Sequence, residues 1–290
     1  MFLFTDDMDK RIKEMFPSWV NSLDENNKLI LTNDLDSLFT VAILKKLFGC
    51  EVGMFYDFET MYSTQKKFDK DKVIGVDLAL EDHETKTFCN HVTKMWKTDK
   101  VNPLSANLNN IAGIYGGKYQ TNYFNKYSGS TALTVLSLYD SFNMLLNGHT
   151  ELTETQKMIL VSIDSYFFGV GFNGGEVFNK WQRALGLEMF QDIFDKYSKE
   201  DLIEFQKEHS LKGEIYMAED GLATTLDIEF LQEHFPMLDF SINEELVYVY
   251  EFQKPIYSHY YTGESKHDLQ GDVFSFAVIN RDKVSYTIHK

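Results

Sequence analysis

Residues 29–46 constrain the fold more than any other stretch of the chain. The apolar run Leu29-Ile30-Leu31 breaks into the polar-centred Thr32-Asn33-Asp34-Leu35-Asp36, and Leu38, Val41, Ala42 and Leu44 then recur at helical spacing. This pattern predicts a buried strand running into a helix, the building unit of an open α/β sheet. Asp34 and Asp36 fall between the carboxyl end of that strand and the start of the helix, where such sheets place their ligands. Two roles fit them. They can serve as the N-cap and first-turn acids of the helix, or as oxygen ligands of a divalent cation that relieves their mutual repulsion.

With 290 residues, the chain can form two domains or one large one. Hydrophobic residues make up 43% and aromatic residues 15%, with only four prolines, which excludes a disordered chain and predicts a core rich in Phe and Tyr. The net charge of -16, from 44 acidic and 28 basic residues, argues against tracking long duplex nucleic acid by neutralising many phosphates. A short oligonucleotide or a nucleotide remains compatible with that charge. Cys50 and Cys89 show no CxxC spacing and read as free thiols in a reducing compartment. The opening Met1-Phe2-Leu3-Phe4 runs at once into Asp6 and Asp7, unlike a signal peptide, and no apolar run approaches the roughly 20 residues of a membrane span. The expectation is a cytoplasmic protein with no membrane association.

Further along, residues 8–22 read as an amphipathic helix interrupted near Pro17, and 51–58 as a second strand. Val73-Ile74-Gly75-Val76-Asp77 repeats the logic of the first site, a short apolar strand ending on an acid, and in a parallel sheet Asp77 emerges at the same edge as Asp34 and Asp36. Residues 87–92 form another strand-like run carrying His91 near its end. Residues 94–127 read as a long functional loop, with turns at Asn102-Pro103 and Gly116-Gly117. Ser128-Gly129-Ser130-Thr131 opens a helix reaching to about Leu146; its hydroxyls and free backbone donors suit either a phosphate or simple capping. A helix over 153–168 embeds Asp164 in an apolar segment, which is costly unless the acid is paired or coordinated. The implied organisation is a metal-binding domain over 1–186, a helical linker over 187–210, and a small α+β domain over 211–290. The last contains a helix at 222–234, strands at 245–250 and 272–279, and a terminal hairpin turning at Asn280-Arg281-Asp282-Lys283 into a strand over 284–288.

Asn33-Asp34-Leu35-Asp36, Val76-Asp77-Leu78-Ala79, Asn90-His91 and Ile163-Asp164-Ser165 together resemble, in order and spacing, the four motifs of the DHH phosphoesterase superfamily. The nanoRNase and oligoribonuclease branch is the most similar, with RecJ-type exonucleases further off. The likeness covers residues 28–170 well and the C-terminal unit weakly. It implies a DHH-like parallel sheet flanked by helices and one or two Mn²⁺ or Mg²⁺ ions. Asp77 would bridge them, with Asp34 on one ion and Asp36, His91 and Asp164 on the other. The implied reaction is phosphodiester or phosphoanhydride hydrolysis, with Asp77 and His91 catalytic and with Asn90, Ser128 and Ser130 on the substrate side. The chain also departs from the pattern. Thr32 stands where the family has His or Asp, Ser37 stands for Gly, and Asn90-His91-Val92 stands for Asp-His-His. The family's glycine-rich end is not found before Lys290. These departures imply one weak ion site and leave a second reading open, a catalytically degenerate member acting as a binding, inhibitory or assembly partner or homo-oligomer.

Overall fold

The computed structural model describes residues 7–81, 83–116, 121–243, 245–253, 256–259, 266, 269, 271–281 and 283–290. The opening tetrapeptide with Asp6, Gly117 of the expected loop turn and Asp282 of the expected hairpin turn lie outside them.

After a one-turn helix α1 (Lys10–Lys13), the chain forms β1 (Lys28–Leu31), α2 (Leu35–Phe48), β2 (Glu51–Tyr56), β3 (Thr60–Ser63), β4 (Val73–Val76), β5 (Lys86–Phe88) and β6 (Ser105–Ala106). A helical stretch follows: α3 (Leu108–Ile111), α4 (Thr131–Leu138), α5 (Glu154–Ser162), α6 (Glu176–Leu185), α7 (Gln191–Lys196) and α8 (Lys199–Glu208). The remainder is β7 (Ile215–Ala218), β8 (Gly221–Thr224), α9 (Ile228–His234), β9 (Tyr248–Glu251), β10 (Ile256–His259), β11 (Val273–Asn280) and β12 (Lys283–Ile288).

Seven strands make the central sheet in the order β6-β5-β4-β1-β2-β3-β9. β6 through β2 are parallel, whereas β3 and β9 are antiparallel additions at one end. The protein is therefore α/β, with a mostly parallel sheet flanked by helices and small antiparallel sheets towards the C-terminus. The chain leaves β1 towards β2 and leaves β4 towards β5, in opposite directions across the sheet. The crevice between the carboxyl ends of β1 and β4 is thus a topological switch point, the position where open α/β sheets bind ligands. Side chains alternate between the two faces. Leu29, Leu31, Phe55, Ile74 and Val76 pack into the helical layer, while Ile30, Met54, Tyr56 and Val73 face the other way with Phe252 and Phe274.

The C-terminal sheet, ordered β10-β12-β11, closes on the carboxyl edge of the main sheet through backbone contacts. Phe276 N–H donates to Ala79 O, Val278 N–H to Val92 O, and Glu81 N–H to Phe274 O. Residues 211–290 also supply β9 to the central sheet, and Ile215 N–H donates to Asn33 O beside the first acid. Within 187–210, α8 packs on α5, where Gln206 Nε2 donates to Ser162 O at 2.6 Å.

Several elements differ from the sequence expectation. The helix over 8–22 is reduced to α1 and a 3₁₀ turn at Ser18–Asn21, because Pro17 removes a donor and disfavours helical geometry at Phe16. The strand over 51–58 is two antiparallel strands turning at Asp57-Phe58-Glu59. The strand over 87–92 stops at Phe88, leaving His91 beyond it. The helix from Ser130 ends at Leu138, before Asp140 with φ of 49°. The first part of the helix over 222–234 is instead a hairpin, β7 to β8, turning before Gly221 with φ of 121°. The helix over 153–168 ends at Ser162 and continues as a 3₁₀ segment, Ile163–Gly175.

Candidate functional site

Each acid of the site stands where a regular element ends. Asp34 is the N-cap of α2, accepting Ser37 N–H at 3.0 Å, and Asp36 lies buried in the first turn. Ser37 ties the two central strands together. Its hydroxyl accepts Thr32 N–H at 2.8 Å and lies 3.1 Å from Val76 O, so it fixes the end of β1 against the end of β4. Thr32 is likewise buried, with its hydroxyl turned towards Val76 O. Asp77 follows β4 with φ of 49°, and Asp164 follows α5 with φ of 51°. Left-handed backbone costs an L-residue about 1–2 kcal/mol, which Asp tolerates better than most. Here it turns both carboxylates out of their elements towards a common point. The sequence expectation that Asp164 is embedded in apolar surroundings is corrected by this geometry. The residue is exposed, because the helix has already ended and the left-handed turn carries it to the surface.

One oxygen each from Asp36, Asp77 and Asp164 lies within 4.8 Å of the others. Both oxygens of Asp36 are held by the start of α4, Oδ2 by Thr131 N–H at 2.7 Å and Oδ1 by Ala132 N–H at 2.8 Å. The Thr131 hydroxyl donates to Asp77 Oδ1 at 2.7 Å. The α4 N-terminus therefore orients two acids, one in the first turn of α2 and one just past β4, and its free N–H groups favour their negative charge. Asn90 Nδ2 donates to Asp164 Oδ2 at 2.8 Å and to Gly129 O at 2.6 Å, and Asn90 O in turn accepts from Asn109 Nδ2. His91 Nδ1 stands 3.7 Å from Asp77 Oδ1 and 3.4 Å from Cys89 Sγ. Asp34 stands beside this triad rather than in it, close enough for its charge to be felt.

The electrostatics follow from the crowding. Burial, then the charge of Asp164, pushes the Asp34 carboxyl up to about 6. Burial first and neighbouring carboxylates second hold Asp36 and Asp77 well above the usual carboxylate range. Burial lowers the His91 pKa, with Asp164 opposing and Lys126 adding to the shift, so its imidazole is neutral at pH 7. Asp34, Asp36 and Asp77 resist ionising together here without a counter-charge. The donor set, carboxylate oxygens plus a neutral imidazole, fits a divalent cation of the Mg²⁺ or Mn²⁺ kind. Asp36, Asp77 and Asp164 could hold one ion. Asp34 and His91 border that position without completing a second cluster among the described residues.

Of the triad, Asp164 lines a cavity of about 590 Å³, within the range of small-ligand sites, whose walls also include Asn33, Phe58, Asn90, His91 and Lys126. Its roof is β11, through Ala277, Val278 and Ile279. Ser128 lines the cavity as well, whereas Ser130 does not. Ser130 is fully buried and its hydroxyl accepts Leu133 N–H at 3.0 Å, so of the two roles open to it, capping is the one taken. Sequence reasoning missed Asn109, Lys126 and Phe58, and the bond from Thr131 to Asp77. Thr131 stands beside the predicted cap, but its bond to Asp77 spans 54 residues, and no local pattern signals it.

Comparison with protein-family models, with curated proteins and with solved structures finds no match to this chain.

Proposed function

We propose that this chain is a divergent DHH-type phosphoesterase that hydrolyses a phosphodiester in a short oligonucleotide or a small nucleotide with the help of a divalent cation. The observation that carries the reading is the meeting of Asp36, Asp77 and Asp164 at one sheet edge, from three separate elements, with Asp164 lining a ligand-sized cavity. Asp36, Asp77 and Asp164 would hold the Mn²⁺ or Mg²⁺, which would supply Lewis acidity towards water and the phosphate. The protein's own groups do the rest. Asn90 fixes the rotamer of Asp164, and the α4 N-terminus fixes Asp36. Lys126 brings a cation to the wall where a phosphate would lie, Ser128 offers a hydroxyl, and β11 covers the cavity and limits bulk water. With neutral His91 beside Asp77, an imidazole is available to accept or return a proton.

A second reading, a binding or assembly protein built on the same fold, is favoured by two specific observations. Both Asp36 oxygens already accept backbone N–H groups, and Val92, where the family has His, is packed under Val278. The two readings separate in one assay with Mn²⁺ and end-labelled substrates of two to five nucleotides. The enzyme reading expects hydrolysis by the wild type and a loss of orders of magnitude in Asp77→Asn. Equal inertness of two folded proteins would leave the binding reading.

A further inference from the structure

We infer that the groove on the sheet face opposite the helices binds an aliphatic anion, a long-chain carboxylate or alkyl phosphate, at a site separate from the carboxylate cavity. The groove has a volume of about 780 Å³ and shares no lining residue with that cavity. Its floor is apolar and buried: Ile30, Met54, Met61, Phe252 and Phe274, from β1, β2, β3, the residue after β9, and β11. Thioether side chains reshape easily around a flexible ligand. Phe252 and Phe274 stack on each other, with ring centroids 4.4 Å apart. His289 packs at 5.2 and 5.0 Å from the same two rings. Their faces are thus already committed to each other, which suits a flexible hydrocarbon chain better than a planar base needing an open ring to stack on.

The rim carries the opposite character. Lys66, Lys67, Lys70 and Lys290 line it against a single acid, Glu251, in a chain whose net charge is -16. Lys70 is paired with Glu84 and Lys290 with Glu251, whereas Lys66 and Lys67 are exposed and have no carboxylate within ion-pair distance among the described residues. An anionic head at this rim meets uncompensated positive charge while its chain removes apolar floor from water. The outer wall is β9, where Val249 and Tyr250 remain 57% and 43% exposed, apolar surface that a chain emerging from the groove would cover.

The test is isothermal titration of the full chain, below micelle-forming concentrations, with dodecanoate, dodecyl phosphate, dodecanol and dodecyltrimethylammonium. Both anions should saturate one site and bind at least tenfold more tightly than the alcohol or the cation. Their relative affinities separate a carboxylate from a phosphate source. The exposed double variant Lys66→Glu/Lys67→Glu, checked by circular dichroism to be folded, should weaken both anions at least tenfold and leave dodecanol unchanged. Absence of saturable binding overturns the inference, as does equal affinity for all four amphiphiles or indifference to the double variant. A concentration-dependent dimer abolished by Val249→Lys, without anion binding, would assign the groove to a second copy instead.

Discussion

In the metal-free protein the acids at the β1–β4 crevice should make stability fall as pH rises, and Asp34 gives this a magnitude. Its carboxyl, ordinarily near 3.8, is pushed up to about 6 by burial and by the charge of Asp164. A folded-state pKa above the unfolded one means that the native chain binds more protons than the unfolded chain between those values, so stability declines through that window and levels off above it. The gap corresponds to about 3 kcal/mol at most, lost by pH 7. Asp36 and Asp77, also raised, act in the same direction. Asp34→Asn isolates the effect, because Asn caps a helix as well as Asp and keeps an oxygen for Ser37 N–H. After treatment with a chelator, urea unfolding followed by the fluorescence of Trp19, Trp96 and Trp181 should show the variant more stable than wild type by about 1–3 kcal/mol at pH 7.5 and nearly equal to it at pH 4. With millimolar Mn²⁺ the order should narrow or invert, since the wild type regains a charge partner that the variant lacks. The reasoning is refuted if the chelated wild type gains stability relative to Asp34→Asn between pH 4 and 7.5.

Three further outcomes follow from the same geometry. Saturating Mn²⁺ should raise wild-type stability by about 2.7 kcal/mol at a hundredfold excess over its dissociation constant, and Asp77→Asn should cancel most of the accompanying rise in Tm. Asn90→Ala removes the donor to Asp164 and Gly129 and should cost about 1–3 kcal/mol in chemical denaturation while weakening Mn²⁺ binding measured by calorimetry. Ser130→Ala deletes the α4 cap; a loss of about 1 kcal/mol in urea melts is expected, with Mn²⁺ affinity falling as Thr131 and Ala132 loosen their hold on Asp36.

What was legible in the sequence was whatever local chemistry decides. β1, α2 and β4 follow from short apolar runs bounded by polar breaks, and the caps at Asp34, Ser130 and Thr153 follow from side chains that satisfy N–H groups two or three residues on. Strand polarity then places Asp34, Asp36 and Asp77 along one edge, since β1 and β4 pair in parallel. Long-range pairing left no such trace. β3 returns antiparallel after a three-residue turn, and β9 reaches it from 185 to 191 residues later, so neither addition to the sheet has a local signature. At the site, the left-handed turns at Asp77 and Asp164 and the reach of Thr131 across to Asp77 are set by packing around them. The shortened helices over 8–22 and 153–168 reflect a different limit. Apolar periodicity continues past the point where Pro17 or a backbone reversal at Asp164 ends the hydrogen-bond ladder.

Val92 offers the sharpest test of the proposed phosphoesterase reading, because placing there the histidine that the DHH pattern would have should do harm. Val92 is 2% exposed and lies in a small core with Phe276, Val278, Val284 and Tyr286. Its carbonyl accepts Val278 N–H at 2.8 Å, one of the bonds that seat β11 as the roof of the cavity. An imidazole at this position loses the aliphatic contact and buries polar nitrogens among apolar side chains, a cost of about 2–4 kcal/mol. The loss should be local. Hydrogen exchange should quicken along β11 and β12 while β1 and β4 stay protected, since their cores are distinct. Mn²⁺ affinity should persist, because Asp36, Asp77 and Asp164 lie outside this cluster. Hydrolysis of a short oligonucleotide should weaken chiefly through a higher KM as the roof loosens. A Val92→His variant that keeps wild-type exchange protection and cleaves faster would mean that this position is not committed to packing, and that the cavity has room for the missing histidine.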